Sequence, residues 1–160
     1  MSVPAADRAA LSELVHRYAA HVDDREFPAV ADLFTEEAEL VIPDPPASLE
    51  PVHAHRGRNA IGAAVAAVAQ TERTQHAIVG EVYDTGTRPG AAYGRISCVA
   101  HHWNRRPDTG SAEAVDVVWH VRYDDEYEST SVGWLINRRV LTINAIETRP
   151  VRRIRGRAPS

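Results

Sequence analysis

The groups best equipped for chemistry in this chain are a few histidines and the carboxylates near them. His76 stands in "RTQHAIVG", residues 73–80, where an alanine-rich helical stretch gives way to a strand-like one. A histidine at the entry to a strand either has its ring hydrogen-bonded in the core or faces a cavity as a general acid or base. With a reference pKa of about 6.5 it can give or take a proton near neutrality. "VDDREF" sets Asp23 and Asp24 at the end of the first helical stretch, where a carboxylate caps the helix, lies in solvent or takes part in catalysis. "VAHHW" adds His101 and His102. Neighbouring side chains of a strand point to opposite faces, so one of this pair faces a cavity and the other does not. Gly94, Ile96, Cys98, Ala100 and His102 form one small, mostly apolar face suited to lining a cavity, and Arg95, Ser97, Val99 and His101 form the other. Parity favours His102.

The remaining candidates point elsewhere. His53 and His55 form "HAH" in a proline-rich stretch, within reach of a pocket mouth at most. Zinc wants three or four convergent ligands, and neither this pair nor the split pair at 101 and 102 supplies them. The expectation is no metal. The absence of a glycine-rich phosphate loop, a nucleophile elbow or a nucleotide fingerprint gives the further expectation of no organic cofactor. Cys98, the single cysteine, lies in an apolar strand pattern and reads as a small buried hydrophobe.

Two kinds of element must position these groups. Leu11, Leu14, Val15, Tyr18 and Val22 fall at helical intervals between Asp7 and Val22, with Asp7 as an expected N-cap. "FPAVADLF" suggests a second helix with Pro28 in its first turn and Val30, Leu33 and Phe34 on one face. "EAELVIP" reads as a short strand ended by Pro43. "PDPPASLEPVHAHRGR" carries four of the ten prolines and reads as a long loop, of the kind that often serves as a lid. "NAIGAAVAAVAQ" returns to helix, with Ile61, Val65 and Val68 on one side. Four strand-length runs follow, "TQHAIVGEVYD", "AAYGRISCVAHHW", "AVDVVWHVRYDDEY" and "VGWLINRRVLTINAI", separated by the turn-prone "TGTRPG", "NRRPDTG" and "ESTS". Three helices followed by an antiparallel meander is an α+β layout, with the helices packed on one face.

Bulk properties narrow the class. At 160 residues, with 44% hydrophobic and 25% charged residues, the chain reads as a single globular domain over 1–160 that can bury its own core. A net charge of −4 and a pI near 6.0 give no general attraction to nucleic acid or anionic membrane. No apolar run nears the roughly 20 residues that span a bilayer. The first residues lack a signal-peptide layout, and one cysteine precludes an intrachain disulfide, so the expected location is the cytoplasm. Residues 149–160 read as a basic tail, with Arg149, Arg152, Arg153, Arg155 and Arg157 either solvated or touching a phosphate or an acidic partner.

The helix ending in "YAAHVDDREFPAVADLF", the strand "EAELVI", the small helix and then "RTQHAIVG" resemble the SnoaL-like branch of the NTF2-like cone fold. The likeness is strongest to its scytalone dehydratase-type subgroup and covers roughly residues 7–146. Thr74, Gln75 and His76 match the threonine-glutamine-histidine that opens a strand in this family. The resemblance implies three N-terminal helices packed on a strongly curved antiparallel β-sheet. It also implies a catalytic set in which Asp23 orients His76 and a second histidine, His102 by the parity above, completes the acid–base machinery. A carboxylate on one ring nitrogen would fix the tautomer and raise basicity, and the second histidine would hold a leaving oxygen or an enolate.

The chain departs from that subgroup where it carries pocket tyrosines. Val22 and Ile42 stand at two such positions, and Trp119 replaces a pocket asparagine. Tyr18, one turn before Val22, is available to supply a phenol. Tyr18, Ile42 and Trp119 are therefore expected in the substrate pocket. The resemblance implies a cofactor-free dehydratase of a small apolar hydroxy-carbonyl or polycyclic metabolite, working as a homo-oligomer, dimer or trimer. An isomerase or cyclase of natural-product assembly, a non-catalytic binding module and an oligomeric structural subunit are the alternatives, since the scaffold hosts many activities.

Overall fold

Six strands form one bent, unclosed sheet with helices against its concave side, as the computed structural model shows. The structure describes residues 1–106 and 114–156, except the side chains of residues 68 and 69. Most of the expected turn at 104–110, Arg157 and the Val68 side chain therefore lie outside the described residues.

The helical periodicity of the first segment becomes α1, Ala5–Asp23, which buries Leu11, Leu14, Val15, Tyr18 and Val22. The helix starts after Pro4, so Asp7 is not its N-cap. Asp7 lies in the first turn, where a carboxylate suits the helix dipole, and accepts a hydrogen bond from Trp134 Nε1 at 3.0 Å. A short α2, Phe27–Asp32, has Pro28 in its first turn. It leads into β1, Phe34–Asp44.

The proline-rich stretch differs from expectation. After a turn containing a cis Pro45–Pro46 bond, it forms β2, Ser48–Arg56, antiparallel to β1. β2 pairs on one side only, and an edge strand tolerates Pro51 because alternate backbone N–H groups there need no partner. Pro43 lies within β1 at a register shift between Ile42 and Asp44 instead of ending the strand. His53 and His55 thus sit on a strand, opposite Ile42 and Leu40.

α3, Arg58–Ala66, buries Ile61 and Val65 and tightens into a 3₁₀ turn over Ala67–Gln70. The meander follows as β3 (Arg73–Thr85), β4 (Ala91–Arg105), β5 (Ala114–Thr130) and β6 (Gly133–Val151). The sheet order is β2-β1-β6-β5-β4-β3. All pairs are antiparallel except β1 with β6, so the sheet is mixed where a wholly antiparallel one was expected. Parallel neighbours cannot be joined by a tight turn, and here the whole of β2 to β5 separates the two strands.

The basic C-terminal segment does not start as a solvated tail. β6 continues through Arg149 to Val151, which pairs with Ala114. Beyond it Ile154 is buried, and the Arg73 guanidinium donates to the carbonyls of Arg155 and Gly156. Among the described residues no helix is long and apolar enough to cross a membrane.

Candidate active site

The concave face of the sheet and the helices enclose a half-open cavity of about 370 Å³, walled mostly by apolar groups. That volume suits a small organic molecule. β3 and β4 pair so that Thr74 faces His102 and His76 faces Ala100, which puts the polar entry of β3 on the cavity side. No bulge interrupts β4 against β5 between Ala91 and Arg105, so strand parity carries through to His102. His102 lines the cavity. His101 points to the other face, where its Nδ1 meets Asp116 at 2.6 Å and its ring stacks on Trp103.

Asp23 ends α1, and Arg25, two residues on, takes a left-handed conformation with φ of 62° that turns the chain sharply into α2. Such a backbone is costly for a residue with a side chain, by about 1–2 kcal/mol. The Arg25 guanidinium donates to Thr74 Oγ1 at 3.0 Å and to the Thr71 carbonyl at 2.8 Å, tying this corner to the start of β3. Asp23 in turn accepts three hydrogen bonds from β3. Its Oδ1 takes the Thr74 hydroxyl at 2.9 Å and His76 Nδ1 at 2.7 Å, and its Oδ2 takes the His76 backbone N–H at 2.8 Å. Burial opposes the Asp23 charge, but the His76 ring, the His76 amide and the Thr74 hydroxyl outweigh it and hold the carboxyl below its usual range. An ionised carboxylate only accepts, so neutral His76 carries its proton on Nδ1 and presents an unprotonated Nε2.

His102 is held differently. Its Nδ1 donates to the Val117 carbonyl at 2.9 Å, and its backbone N–H reaches Asp116 Oδ1 at 3.3 Å. A carbonyl cannot donate, so neutral His102 also presents an unprotonated Nε2. Burial pushes its pKa down, against the pull of the Val117 carbonyl. The His102 ring lies 6.1 Å from the His76 ring and 4.4 Å from the Trp119 ring, centroid to centroid.

Tyr18 and Tyr123 also line the cavity, and beneath them lies Arg139, fully buried. Its guanidinium carbon is 4.2 Å from each of the two ring centroids. It donates twice to Asp125, at 2.8 and 2.6 Å, and Asp125 also accepts from the Tyr127 hydroxyl at 2.6 Å. Burial raises the pKa values of Tyr18 and Tyr123, so both phenols stay protonated and able to donate.

Of the residues singled out from sequence, His76, His102, Tyr18, Ile42 and Trp119 all line the cavity, and Asp23 stands behind His76. Asp24 is exposed, and His120 pairs with Glu147. Sequence reasoning missed Arg25, Tyr123 and Asn104, and singled out Thr74 only as part of the motif, without its bond to Asp23. Asn104 continues the parity of Ala100 and His102, and Tyr123 that of Trp119, so both were within reach of the same strand argument. Asn104 lines the cavity while its Oδ1 accepts from the Glu72 amide at 3.0 Å. Among the described residues no group of three or more His, Cys, Asp or Glu side chains could hold a metal ion.

Comparison with known proteins sets this geometry in context. No curated protein sequence matches the chain. Among solved structures, a proposed aromatic ring hydroxylase from Novosphingobium aromaticivorans is similar, with 22% identity over 94% of this chain and 96% of that one and a TM-score of 0.74. A proposed scytalone dehydratase from the same organism is 20% identical over 96% and 93% of the two chains, with a TM-score of 0.71. A type 2 hexachlorocyclohexane dehydrochlorinase is 17% identical over 96% and 94%, with a TM-score of 0.69. At these identities the likeness is one of fold. The profile of the SnoaL-like domain matches residues 4–140, nearly the whole of the helices, the sheet and the cavity they enclose, and the chain belongs to that family.

Proposed function

We propose that the chain is an acid–base enzyme that removes water from a small, largely apolar hydroxy-carbonyl or polycyclic metabolite. The observation that carries this reading is the His76 ring, bound at Nδ1 by the Asp23 carboxylate at 2.7 Å on the wall of an apolar cavity. Two of the similar structures bear the names of a dehydratase and a dehydrochlorinase, both eliminations, which supports the same class.

In this reaction His76 Nε2 takes the proton from the carbon beside the carbonyl, and the C–H electron pair moves into the enolate. Asp23 stabilises the imidazolium that results. The Tyr18 and Tyr123 phenols, side by side in the cavity, are the donors for the enolate oxygen. Neutral His102 accepts from the substrate hydroxyl and so orients the leaving group. Nε2–H of His76 then protonates that hydroxyl as the C–O bond breaks, the enolate collapses to a C=C bond and water departs. The same proton transfer without loss of water gives isomerisation or ring closure. The apolar wall keeps bulk water from the charged intermediates.

The test is a screen of hydroxy-carbonyl compounds for the absorbance of the conjugated product, followed by variants at the pair. His76→Ala should keep its melting temperature and lose turnover by roughly 10²-fold or more. Asp23→Asn should also lower turnover, and the double variant should fall far short of the product of the two losses. A folded His76→Ala protein with normal turnover ends the proposal.

A further inference from the structure

We propose that the substrate is an acyl thioester on a phosphate-bearing carrier, its acyl group inside the cone and its phosphates outside along an arginine-lined groove. This rests on the cavity being the site where substrate reacts. The groove meets that cavity around the rim of the sheet, since Asn104 faces the cavity and Arg105, next on β4, takes the parity of His101 on the other face. Thr71 and Asn104 line both the cavity and an open depression outside its mouth, which Arg105 shares. Arg105 also lines a second depression, formed with Arg153, Ile154 and Arg155.

The charge in this groove is local, and the backbone that carries it is held in place. The whole chain carries −4, yet the groove presents three guanidinium groups. Glu72 pairs with Arg105, whereas among the described residues Arg153 and Arg155 have no carboxylate partner. Both are exposed. They are not on a loose tail, because buried Ile154 lies between them and Arg73 holds the carbonyls of Arg155 and Gly156. Two adjacent unpaired guanidinium groups, each with a planar fork of donors, match a diphosphate better than a lone carboxylate. The thioester supplies the rest of the chemistry, since its carbonyl acidifies the neighbouring C–H that His76 would take while the cone admits only the apolar acyl part.

Coenzyme A serves as the probe for the groove and 2-naphthol, neutral and apolar, as the probe for the cavity. Calorimetric titration of the full chain at low salt should show coenzyme A binding that weakens as salt rises. R153Q/R155Q should weaken it by roughly tenfold or more, the loss expected for charge-assisted hydrogen bonds. That variant should keep its melting temperature and its affinity for 2-naphthol. Wild-type protein that binds no coenzyme A, or a double variant that binds it as tightly as wild type, overturns the proposal. Failure of the dehydratase reading looks different: hydroxyacyl thioesters and free hydroxy-carbonyls would not be dehydrated, while thioester and coenzyme A binding would still depend on Arg153 and Arg155, which upholds the carrier groove.

Discussion

The Thr74 hydroxyl donates to Asp23 Oδ1 at 2.9 Å, the same oxygen that accepts from the His76 ring. Thr74 also accepts from Arg25, so a chain from guanidinium to hydroxyl to carboxylate fixes the Asp23 rotamer before the histidine is reached. Thr74→Val keeps the shape and deletes the donor. It should cost about 1 kcal/mol of stability, as for a typical hydrogen bond, and lower kcat several-fold through a less well aimed His76. Thr74→Ser should recover both. Urea melts and kinetics on the same samples check this, and a Val variant with unchanged kcat would separate Thr74 from the positioning of the pair.

His102 makes stability depend on pH in a defined direction. Burial lowers its folded pKa, so between that value and about 6.5 the unfolded chain binds more protons than the folded one. The contribution of neutral His102 is complete above about 6.5 and is lost as pH falls toward the folded value. Asp23, also depressed, acts lower: its contribution is present above its ordinary value of 3.8 and is lost as pH falls through the folded one. The melting temperature of the wild type should therefore drop between pH 7 and pH 5 by more than that of His102→Gln. Parallel slopes for the two proteins would refute the assignment.

The sheet and first helix were legible because their periodicities are strong: the stripe from Leu11 to Val22 and the alternation from Gly94 to His102 both survive in the structure. β2 was not legible, since proline density is a signal against regular structure that an edge strand can absorb. Arg25 was hidden for another reason. Its left-handed backbone and its reach to β3 depend on how α1 and β3 meet, which no local pattern records. The Arg139–Asp125 pair is a case of register. "NRR" and "DDE" each offer adjacent like charges on opposite faces, and only the pairing of Asp125 with Arg139 across β5 and β6 selects the buried ones.

Gly94 marks a close approach. A Cβ built there would lie 2.6 Å from both Cε2 and the hydroxyl of Tyr127, a buried ring whose hydroxyl is committed to Asp125. Gly94→Ala must displace that ring and should cost about 1–3 kcal/mol, the usual range for overpacking. Chemical denaturation measures it. The Tyr127→Phe background removes the hydroxyl contact, so the alanine should be milder there.

Arg139 and Asp125 are both fully buried and face each other directly across the sheet. Desolvation works against the Arg139 charge, but the Asp125 carboxylate overcomes it and keeps the guanidinium protonated. The group also meets the Tyr18 and Tyr123 rings, and its Nη1 has no hydrogen-bond partner among the described residues. Removing one partner of such a pair strands the other charge in the core, which typically costs about 3–5 kcal/mol. Arg139→Met and Asp125→Leu should each destabilise by that order. The double variant should be less destabilised than the sum, because neither charge is left alone, and apolar replacement of a buried pair is often neutral. A double-mutant cycle in urea gives the coupling, and strict additivity would show that each charge acts independently of the other. Tyr18 and Tyr123 give a second readout at the cavity, since loss of the cation under their rings should alter the near-UV circular dichroism in Arg139→Met and leave it closer to wild type in a variant placed away from the pair, such as Val132→Thr on the exposed surface.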